Sequence, residues 1–296
     1  MKRRSFITYG LLLCLGIAIV ACANEPETDR QPDTLRLAVT DMQGLEELQR
    51  NFEPFRKALE TTTGKGIEFF PVSDRTAAAV ALQSNQVDMV LTGPAEYVVI
   101  RARTKVTPLI GITRPNYRSV IAVRKESGIK DIQGLRGVTI AMAELGSTSG
   151  QLGPTQMLVD AGLDPNKDVK IAMLGKAAAQ AFISGDAQAW GVSALLYDRI
   201  LESQDQNPAD FPIIAEGPLL PNDLFVASNS LAADYVTALQ DKMLQEQQVL
   251  IDAIVAVDSN EKYATSELIK VQDSDYDSIR KAYRAIGITN LDPFEE

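Results

Sequence analysis

Along most of the chain, short apolar runs rich in β-branched residues alternate with longer segments in which apolar residues recur every three or four positions. The runs predict strands and the longer segments predict helices, an order that favours parallel sheets with crossover helices. The predicted strands are residues 34–40, 67–72, 87–92, 106–112, 119–123, 138–143, 169–174, 189–192 and 211–214. The chain is therefore predicted to be an α/β protein.

The pattern changes after Asn229, where strand-like runs give way to helical spacing. One apolar stripe is formed by positions three, four or seven apart: Val236, Leu239, Met243, Leu250 and Ile254. A further helix is predicted near residues 274–285. Such a stripe is typical of core packing rather than of a cofactor pocket.

Two runs of α/β units and a helical tail fit a two-lobed clamp in which the chain leaves the first lobe, builds the second and returns. The first lobe is predicted at residues 34–121 plus 224–296, and the second at residues 122–223. The chain is predicted to cross between them near residues 120–125 and 221–226.

The N-terminus has the pattern of an export signal. A basic start is followed by an apolar run at residues 7–21, which is shorter than the roughly 20 residues of a membrane-spanning helix. Residues 19–22 resemble the lipobox of bacterial lipoproteins, so we expect residues 1–21 to be removed and Cys22 to be lipidated. Residues 22–33 then form a tether. The alternative is an ordinary cleaved signal with a chance cysteine at its end.

Composition narrows the possible chemistry. The sequence has no histidine, and its two cysteines, Cys14 and Cys22, lie in the leader and at the lipidation position. These facts disfavour disulfides, most zinc sites and the Ser-His-Asp arrangement. A net charge of −10 disfavours nucleic acid as a partner. We expect no cofactor and no enzymatic activity, although Glu144 is a local candidate base for an enzyme that uses carboxylate chemistry.

The clearest local motif is the turn Gly146–Gly150, which contains Ser147, Thr148 and Ser149 between a predicted strand and a predicted helix. Free N–H groups of a first helical turn, the helix dipole and nearby hydroxyls together favour a bound oxyanion. Glycine lets the backbone approach such a ligand closely. The alternative is simple helix capping, since Thr148 and Gln151 have the capping-box spacing.

Several segments resemble the phosphate, phosphite and phosphonate substrate-binding proteins of ABC importers, often called PhnD-like. The resemblance covers residues 35–39, 52–59, 87–97 with the run Gly93-Pro94-Ala95-Glu96-Tyr97, 129–137, 146–150, 221–226 and 276–287. It implies a type II periplasmic-binding-protein clamp, in which each lobe is a mainly parallel sheet flanked by helices and two crossover strands join the lobes.

The resemblance also implies roles for individual residues. Ser147, Thr148 and Ser149 would hold the ligand oxygens from the second lobe, and Tyr97 would close from the first lobe. Asp223 falls where the family places an acid that accepts a hydrogen bond from a protonated oxygen or an amino group. The alternatives are that Tyr97 packs on the sheet and that Asp223 belongs to a turn.

The chain departs from the family pattern at three places. Arg75 stands where the family commonly has a tyrosine, and it either binds a more highly charged anion or lies on the surface at a helix start. The histidine that often precedes residues 177–184 is absent, and the acid that often follows Trp190 is absent too. A ligand with an amine is therefore less expected. Trp190 either lines the cleft or fills the core.

The resulting hypothesis is an exported, lipid-anchored, monomeric solute-binding protein at the outer face of a membrane. It would capture phosphite, phosphate or an alkylphosphonate and deliver it to an ABC permease and its ATPase. Two alternatives remain: an anion sensor that feeds a signalling kinase, and a binder of a different oxyanion.

Overall fold

A computed structural model describes residues 29–291. The predicted leader and Cys22 lie outside these residues. Within them, the strands are β1 (Thr34–Val39), β2 (Gly66–Phe69), β3 (Met89–Thr92), β4 (Val106–Ile112), β5 (Arg118–Val123), β6 (Thr139–Met142), β7 (Lys170–Met173), β8 (Ala189–Ser193), β9 (Ile213–Leu219), β10 (Asp223–Ser228) and β11 (Leu268–Ile269). The α-helices are α1 (Leu45–Thr63), α2 (Ala77–Gln83), α3 (Pro94–Arg103), α4 (Gly153–Asp160), α5 (Ala178–Ser184), α6 (Ala194–Ser203), α7 (Ala233–Gln245), α8 (Gln247–Val255) and α9 (Asp277–Ala285).

The first sheet has six strands in the order β11-β4-β10-β3-β1-β2. β1 pairs in parallel with β2 and β3, whereas β10 runs antiparallel between β3 and β4. Apolar side chains from both faces of this sheet are buried under helices; Phe55 of α1, for example, stacks on Phe225 of β10 with ring centroids 5.5 Å apart. The sheet is thus covered on both faces, as expected for parallel strands with crossover helices.

The second sheet has five strands in the order β7-β6-β8-β5-β9. β6 is parallel to β7 and β8, and β5 is antiparallel to β8 and β9. The predicted architecture of two mainly parallel, helix-flanked sheets is confirmed. The strands that flank the two crossings pair antiparallel with each other within each sheet, β4 with β10 in the first and β5 with β9 in the second.

The chain changes sheets between Ile112 and Arg118, and again between Leu219 and Asp223. The two crossing segments are tied together, because the Leu220 N–H donates to the Tyr117 carbonyl over 2.8 Å. The boundary expected at residues 121 and 122 is therefore wrong. It cuts through β5, which belongs entirely to the second sheet, and the change of direction occurs earlier, where Asn116 has a positive φ of 60°.

The C-terminal stripe is buried as predicted, with Met243, Leu250 and Ile254 fully inaccessible. It is divided between α7 and α8, which meet at Glu246. Two strands lay outside the prediction. β11 has only two residues, and β10 follows Pro221 and Asn222, whose turn character led us to expect a crossing there. No helix among residues 29–291 is both long and apolar enough to cross a membrane.

Candidate functional site: an anion-binding cleft

A cavity of about 470 Å³ lies between the two sheets and is lined by both. The first sheet contributes the segments that follow β1 and β3, and the second contributes the turn after β6 and the start of α6. Its floor and walls are rich in charge. Several of the residues that line the cavity form ion pairs with one another. Two of the lining leucines, Leu195 and Leu196, remain exposed.

The turn after β6 presents hydrogen-bond donors to this cavity. Ser147 precedes the helix, and its Oγ accepts the Gly150 N–H over 3.3 Å. The first turn is wide, so that the N–H groups of Gln151 and Leu152 both donate to the Ser147 carbonyl, at 3.1 and 2.9 Å. The N–H groups of Thr148 and Ser149 come before any helical acceptor and have no partner in the helix. As unsatisfied first-turn donors, they form part of the positive end of the helix dipole.

The turn is held close to the strand that leads into it. A Cβ on Gly150 would lie 2.6 Å from Cβ of Ala143, so only glycine fits there without displacing the backbone. The Ser149 hydroxyl has no hydrogen-bond partner among the described residues and stands at the cavity. The sequence-predicted residues Ser147, Thr148 and Ser149 therefore all line the cleft.

Thr148 connects the two sides of the cleft. Its Oγ1 accepts the backbone N–H of Ala95, in the first turn of α3, over 2.9 Å. Ion pairs also cross the cleft, among them Lys176 with Glu47 and Arg199 with Glu261 at 4.0 Å. Segments of the two lobes are thus in direct contact around the cavity.

Arg75 lies in the cleft rather than on a helix surface. Its Nη1 donates to Oε1 of Glu96 over 2.6 Å, and its Nε is 3.7 Å from Oε2 of Glu144 on the opposite side. Burial opposes the charge of Arg75, but Glu96, Asp41 and Glu144 together raise the pKa of Arg75 above its usual value. Its positive charge is permanent and is already shared by two carboxylates.

A second charged cluster lies beside the two crossing segments. Asp223, at the start of β10, accepts hydrogen bonds from Arg114 at 3.3 Å and from the Tyr263 hydroxyl at 2.7 Å. Lys262 Nζ lies 2.7 Å from Asp41 and 3.8 Å from Asp223. Burial opposes ionisation of Asp41, but Lys262, Arg75 and Arg114 outweigh it and lower the pKa of Asp41 to about 2. Asp41 therefore remains ionised at neutral pH.

Tyr97 does not face the cleft, so its expected role in closing on a ligand is wrong. Its side chain is fully buried beside Tyr276, with ring centroids 4.6 Å apart, and its hydroxyl donates to Asp273 over 2.6 Å. Successive helix residues are about 100° apart. The neighbouring Glu96 therefore lines the cavity while Tyr97 packs into the core.

Trp190 contributes to both the core and the cavity wall. It is 2% exposed and packs between Phe182 and Tyr197, with ring centroids 5.7 and 6.4 Å away. Leu195 and Leu196, in the first turn of α6, are 50% and 42% exposed and line the same cavity. The cleft therefore combines a turn rich in hydrogen-bond donors with an apolar wall.

Sequence reasoning missed several charged residues of the cleft: Asp41, Glu96, Arg114 and Lys262. Glu96 stands inside the family-like run Gly93–Tyr97, where helical geometry could have separated its face from that of Tyr97. The pairings of Arg114 and Lys262 with Asp223 span 109 and 39 positions of sequence, which no local pattern reveals. No group of acidic residues in residues 29–291 is arranged to hold a metal ion.

The sequence matches the model of a known family over residues 37–276: the ABC transporter, phosphonate, periplasmic substrate-binding proteins. The phosphate-import protein PhnD of Mycolicibacterium smegmatis is 24% identical over 301 residues, which covers 93% of this chain and 94% of that protein. The tetrathionate sensor histidine kinase TtrS of Salmonella typhimurium is 25% identical over 236 residues. That match covers 69% of this chain but only 38% of the kinase.

The fold is shared with solved structures. PhnD1 from Prochlorococcus marinus, in complex with methylphosphonate, superposes with a TM-score of 0.71 at 19% identity. The superposition covers 87% of this chain and all of that one. At this identity the likeness shows the fold.

Proposed function

Since the chain belongs to the periplasmic substrate-binding proteins of phosphonate ABC transporters, we propose that it captures a phosphorus oxyanion, namely phosphite, phosphate or an alkylphosphonate, between its two lobes. The family consists of transport proteins and not of enzymes. The bound form would be presented to a permease and its ATPase.

The observation that carries this proposal is the donor set at the turn after β6. The free N–H groups of Thr148 and Ser149 and the unpartnered Ser149 hydroxyl face one cavity at the positive end of a helix. Hydrogen bonds to a charged group contribute about 1.5 to 3 kcal/mol each. Three such bonds, with those from the opposite lobe, support micromolar binding, which needs about 8 kcal/mol.

Closure of the two lobes would report that the ligand is bound. Ala95 meets Thr148 and Arg75 approaches Glu144 across the cleft, so opening of the lobes would separate both pairs. A ligand that contacts both lobes favours that form by its differential contacts. The two short crossing segments, tied at Tyr117 and Leu220, are the candidate hinge.

The apolar wall supports a ligand with an organic group. Leu195 and Leu196 remain partly exposed in the cleft, where a phosphate ion alone would leave them in contact with water. Covering this surface would add to affinity at roughly 25 cal/mol per Å². Within the proposed class, an alkylphosphonate therefore fits the cavity better than phosphate.

We also propose that Cys22 carries a lipid anchor after removal of residues 1–21. Arg30 is fixed to the body, because its Nη1 donates to the buried Asp88 over 3.0 Å. The tether would then end before Arg30. Several acyl chains, at about 0.8 kcal/mol per buried CH₂, would hold a monomeric body at the membrane surface.

The proposal is tested by calorimetric titration of residues 24–296, stripped of bound anion by partial unfolding and refolding. The ligands are phosphate, phosphite, methylphosphonate and 2-aminoethylphosphonate, with sulfate as the control. We expect one-to-one binding of at least one phosphorus oxyanion and the tightest binding for methylphosphonate. Absence of binding to all four would overturn the proposed ligand class.

A sensing role is the second candidate, and the similarity to part of a tetrathionate sensor kinase supports it. The same cleft would then signal to a kinase instead of a permease. A neighbouring gene for a permease and an ATPase favours import, whereas a neighbouring histidine kinase favours sensing.

A further inference from the structure

Glu96 is a buried carboxyl with one unused oxygen inside the cleft. Its side chain is 2% exposed, and its Oε1 accepts the hydrogen bond from Arg75. Its Oε2 is buried and has no hydrogen-bond partner. A buried acceptor without a partner destabilises the folded protein by about 1 to 3 kcal/mol. A ligand that donates a hydrogen bond to this atom would remove that cost. No side chain of the described residues supplies one.

Oε2 is enclosed in the wall of the cleft, beside the candidate oxyanion site. It lies over Gly93, where a Cβ would come within 2.6 Å of it. The turn that carries Thr148 packs on the same side chain, since a Cβ on Gly146 would lie 4.0 Å from Cγ of Glu96. Glu96 and Gly93 line the same cavity as Ser149.

Asp223, by contrast, has its oxygens occupied. Arg114 donates to both of them at 3.3 Å, and Tyr263 donates to one at 2.7 Å. The acid that the family resemblance assigned to a protonated ligand group therefore has partners within the protein. Among the described residues that line the cleft, the buried acceptor without a partner is Oε2 of Glu96.

We propose that Glu96 is a specificity residue that shares one proton with the bound oxyanion and so favours an anion bearing an O–H group over a fully ionised one. This inference rests on the proposed function. A phosphonate monoanion brings the proton on its own oxygen and donates it to Oε2. A sulfonate of the same shape has no such proton, so its binding must either leave two negative groups in contact or draw a proton from water onto Glu96.

The surroundings of Glu96 are consistent with this role. Burial raises the pKa of Glu96, whereas Arg75 and the backbone N–H of Glu96 itself oppose the rise and Asp41 adds to it. The other ionisable groups that face it are Glu144, through Arg75, and Tyr283 of α9, whose hydroxyl donates to the Ala95 carbonyl over 3.3 Å. The sequence has no histidine, so the side chains that usually titrate between about pH 5 and pH 8 are absent.

The test uses methylphosphonate and methanesulfonate, two ligands of one shape that differ in their ability to carry a proton. The affinity of each is measured for the wild type, for Glu96→Gln and for Glu144→Gln. Both variants remove one negative charge beside Arg75, but Glu144 is 36% exposed and has no buried unpartnered oxygen. It is therefore the matched control for charge alone.

In the wild type we expect methylphosphonate to bind at least about tenfold more tightly than methanesulfonate at neutral pH. Glu96→Gln should reduce this preference about tenfold, because the amide can donate a hydrogen bond to either anion. Glu144→Gln should strengthen both affinities by the same factor and leave their ratio unchanged. A ratio unaffected by Glu96→Gln, or altered equally by Glu144→Gln, would overturn the inference while leaving the proposed function in place.

A second measurement needs no variant. Methanesulfonate binding to the wild type should strengthen at least about threefold as the pH falls from about 8 to about 5, since Glu96 takes up the missing proton. A pH-independent affinity would contradict the inference. If neither ligand nor phosphate binds at any pH, the proposed function fails and this inference fails with it.

Discussion

The backbone N–H of Ala95 donates to Oγ1 of Thr148 across the cleft, over 2.9 Å, and both residues are buried. Ala95 belongs to the first turn of α3 beside the first sheet, and Thr148 to the turn after β6 beside the second. One hydroxyl thus joins the starts of two helices that face each other. This contact makes Thr148 a residue of closure, and leaves Ser149 as the hydroxyl free for a ligand.

Thr148→Val should weaken oxyanion binding about tenfold or more. The isosteric side chain fills the same space but leaves the buried Ala95 N–H without an acceptor, which costs about 1 to 3 kcal/mol in the closed form alone. Calorimetric titration gives the affinity, and small-angle scattering should show a more open molecule. Thr155→Val is the control, since its buried Oγ1 donates to Gln151 within one lobe over 2.7 Å. An equal loss of affinity in both variants would contradict the role of the Thr148 hydroxyl in closure of the lobes.

Ser149→Ala should lower oxyanion affinity by about tenfold without changing stability, because this hydroxyl has no partner within the described chain. Ser147→Ala should do the reverse. Its Oγ caps the Gly150 N–H, and loss of an N-cap costs about 1 kcal/mol of stability. Thermal melting and calorimetric titration of both variants separate the two effects. Equal melting losses in both variants, with affinity unchanged, would show that the hydroxyls of Ser147 and Ser149 serve the helix alone.

Acid should weaken the fold through Asp41. Its pKa of about 2 lies below the usual 3.8, so the native state holds fewer protons there than the unfolded chain. The stabilisation is complete above about pH 4 and is lost as the pH falls towards 2, by up to about 2 kcal/mol. Urea unfolding of wild type and Asp41→Asn across this window measures it. The free energy of unfolding should fall less steeply with decreasing pH in Asp41→Asn than in the wild type. Identical slopes would show that Asp41 is not the cause of the acid sensitivity.

Arg114→Met should destabilise the protein by about 3 kcal/mol, because it leaves the buried Asp223 without its main cation. The side chains of Arg114 and Asp223 are 11% and 4% exposed. Arg118→Met is the control: its partner Glu216 is 57% exposed, and loss of such a pair costs about 1 kcal/mol or less. Urea unfolding at neutral pH compares them. Equal costs would mean that Asp223 is held by Tyr263 and Lys262 alone.

The sequence was most informative where one local pattern determines one structure. Alternating apolar runs located nine strands, and the turn Ser147–Ser149 was placed correctly because its strand, glycines and helix are adjacent in sequence. The limits appear in β10, where Pro221 and Asn222 suggest a turn although residues 223–228 form a fully buried strand. Strand pairing with β3 and β4 overrides that local signal.

The ion pairs of the cleft could not be predicted from the sequence, for a different reason. Arg75 and Glu96 are 21 positions apart, and Lys262 and Asp41 are 221 apart. Their pairing depends on the fold, which no spacing rule records. The mistaken role of Tyr97 has a related origin: helical geometry puts Glu96 and Tyr97 on different faces of α3, but only the fold shows which face meets the cavity.

The most direct test of the account is a crystal structure of residues 24–296 grown with methylphosphonate. We expect the ligand between the two lobes, with its oxygens about 3 Å from the N–H groups of Thr148 and Ser149 and one oxygen facing Oε2 of Glu96. A ligand bound away from the Ser147–Gly150 turn, with the first-turn N–H groups left to water, would contradict the central claim.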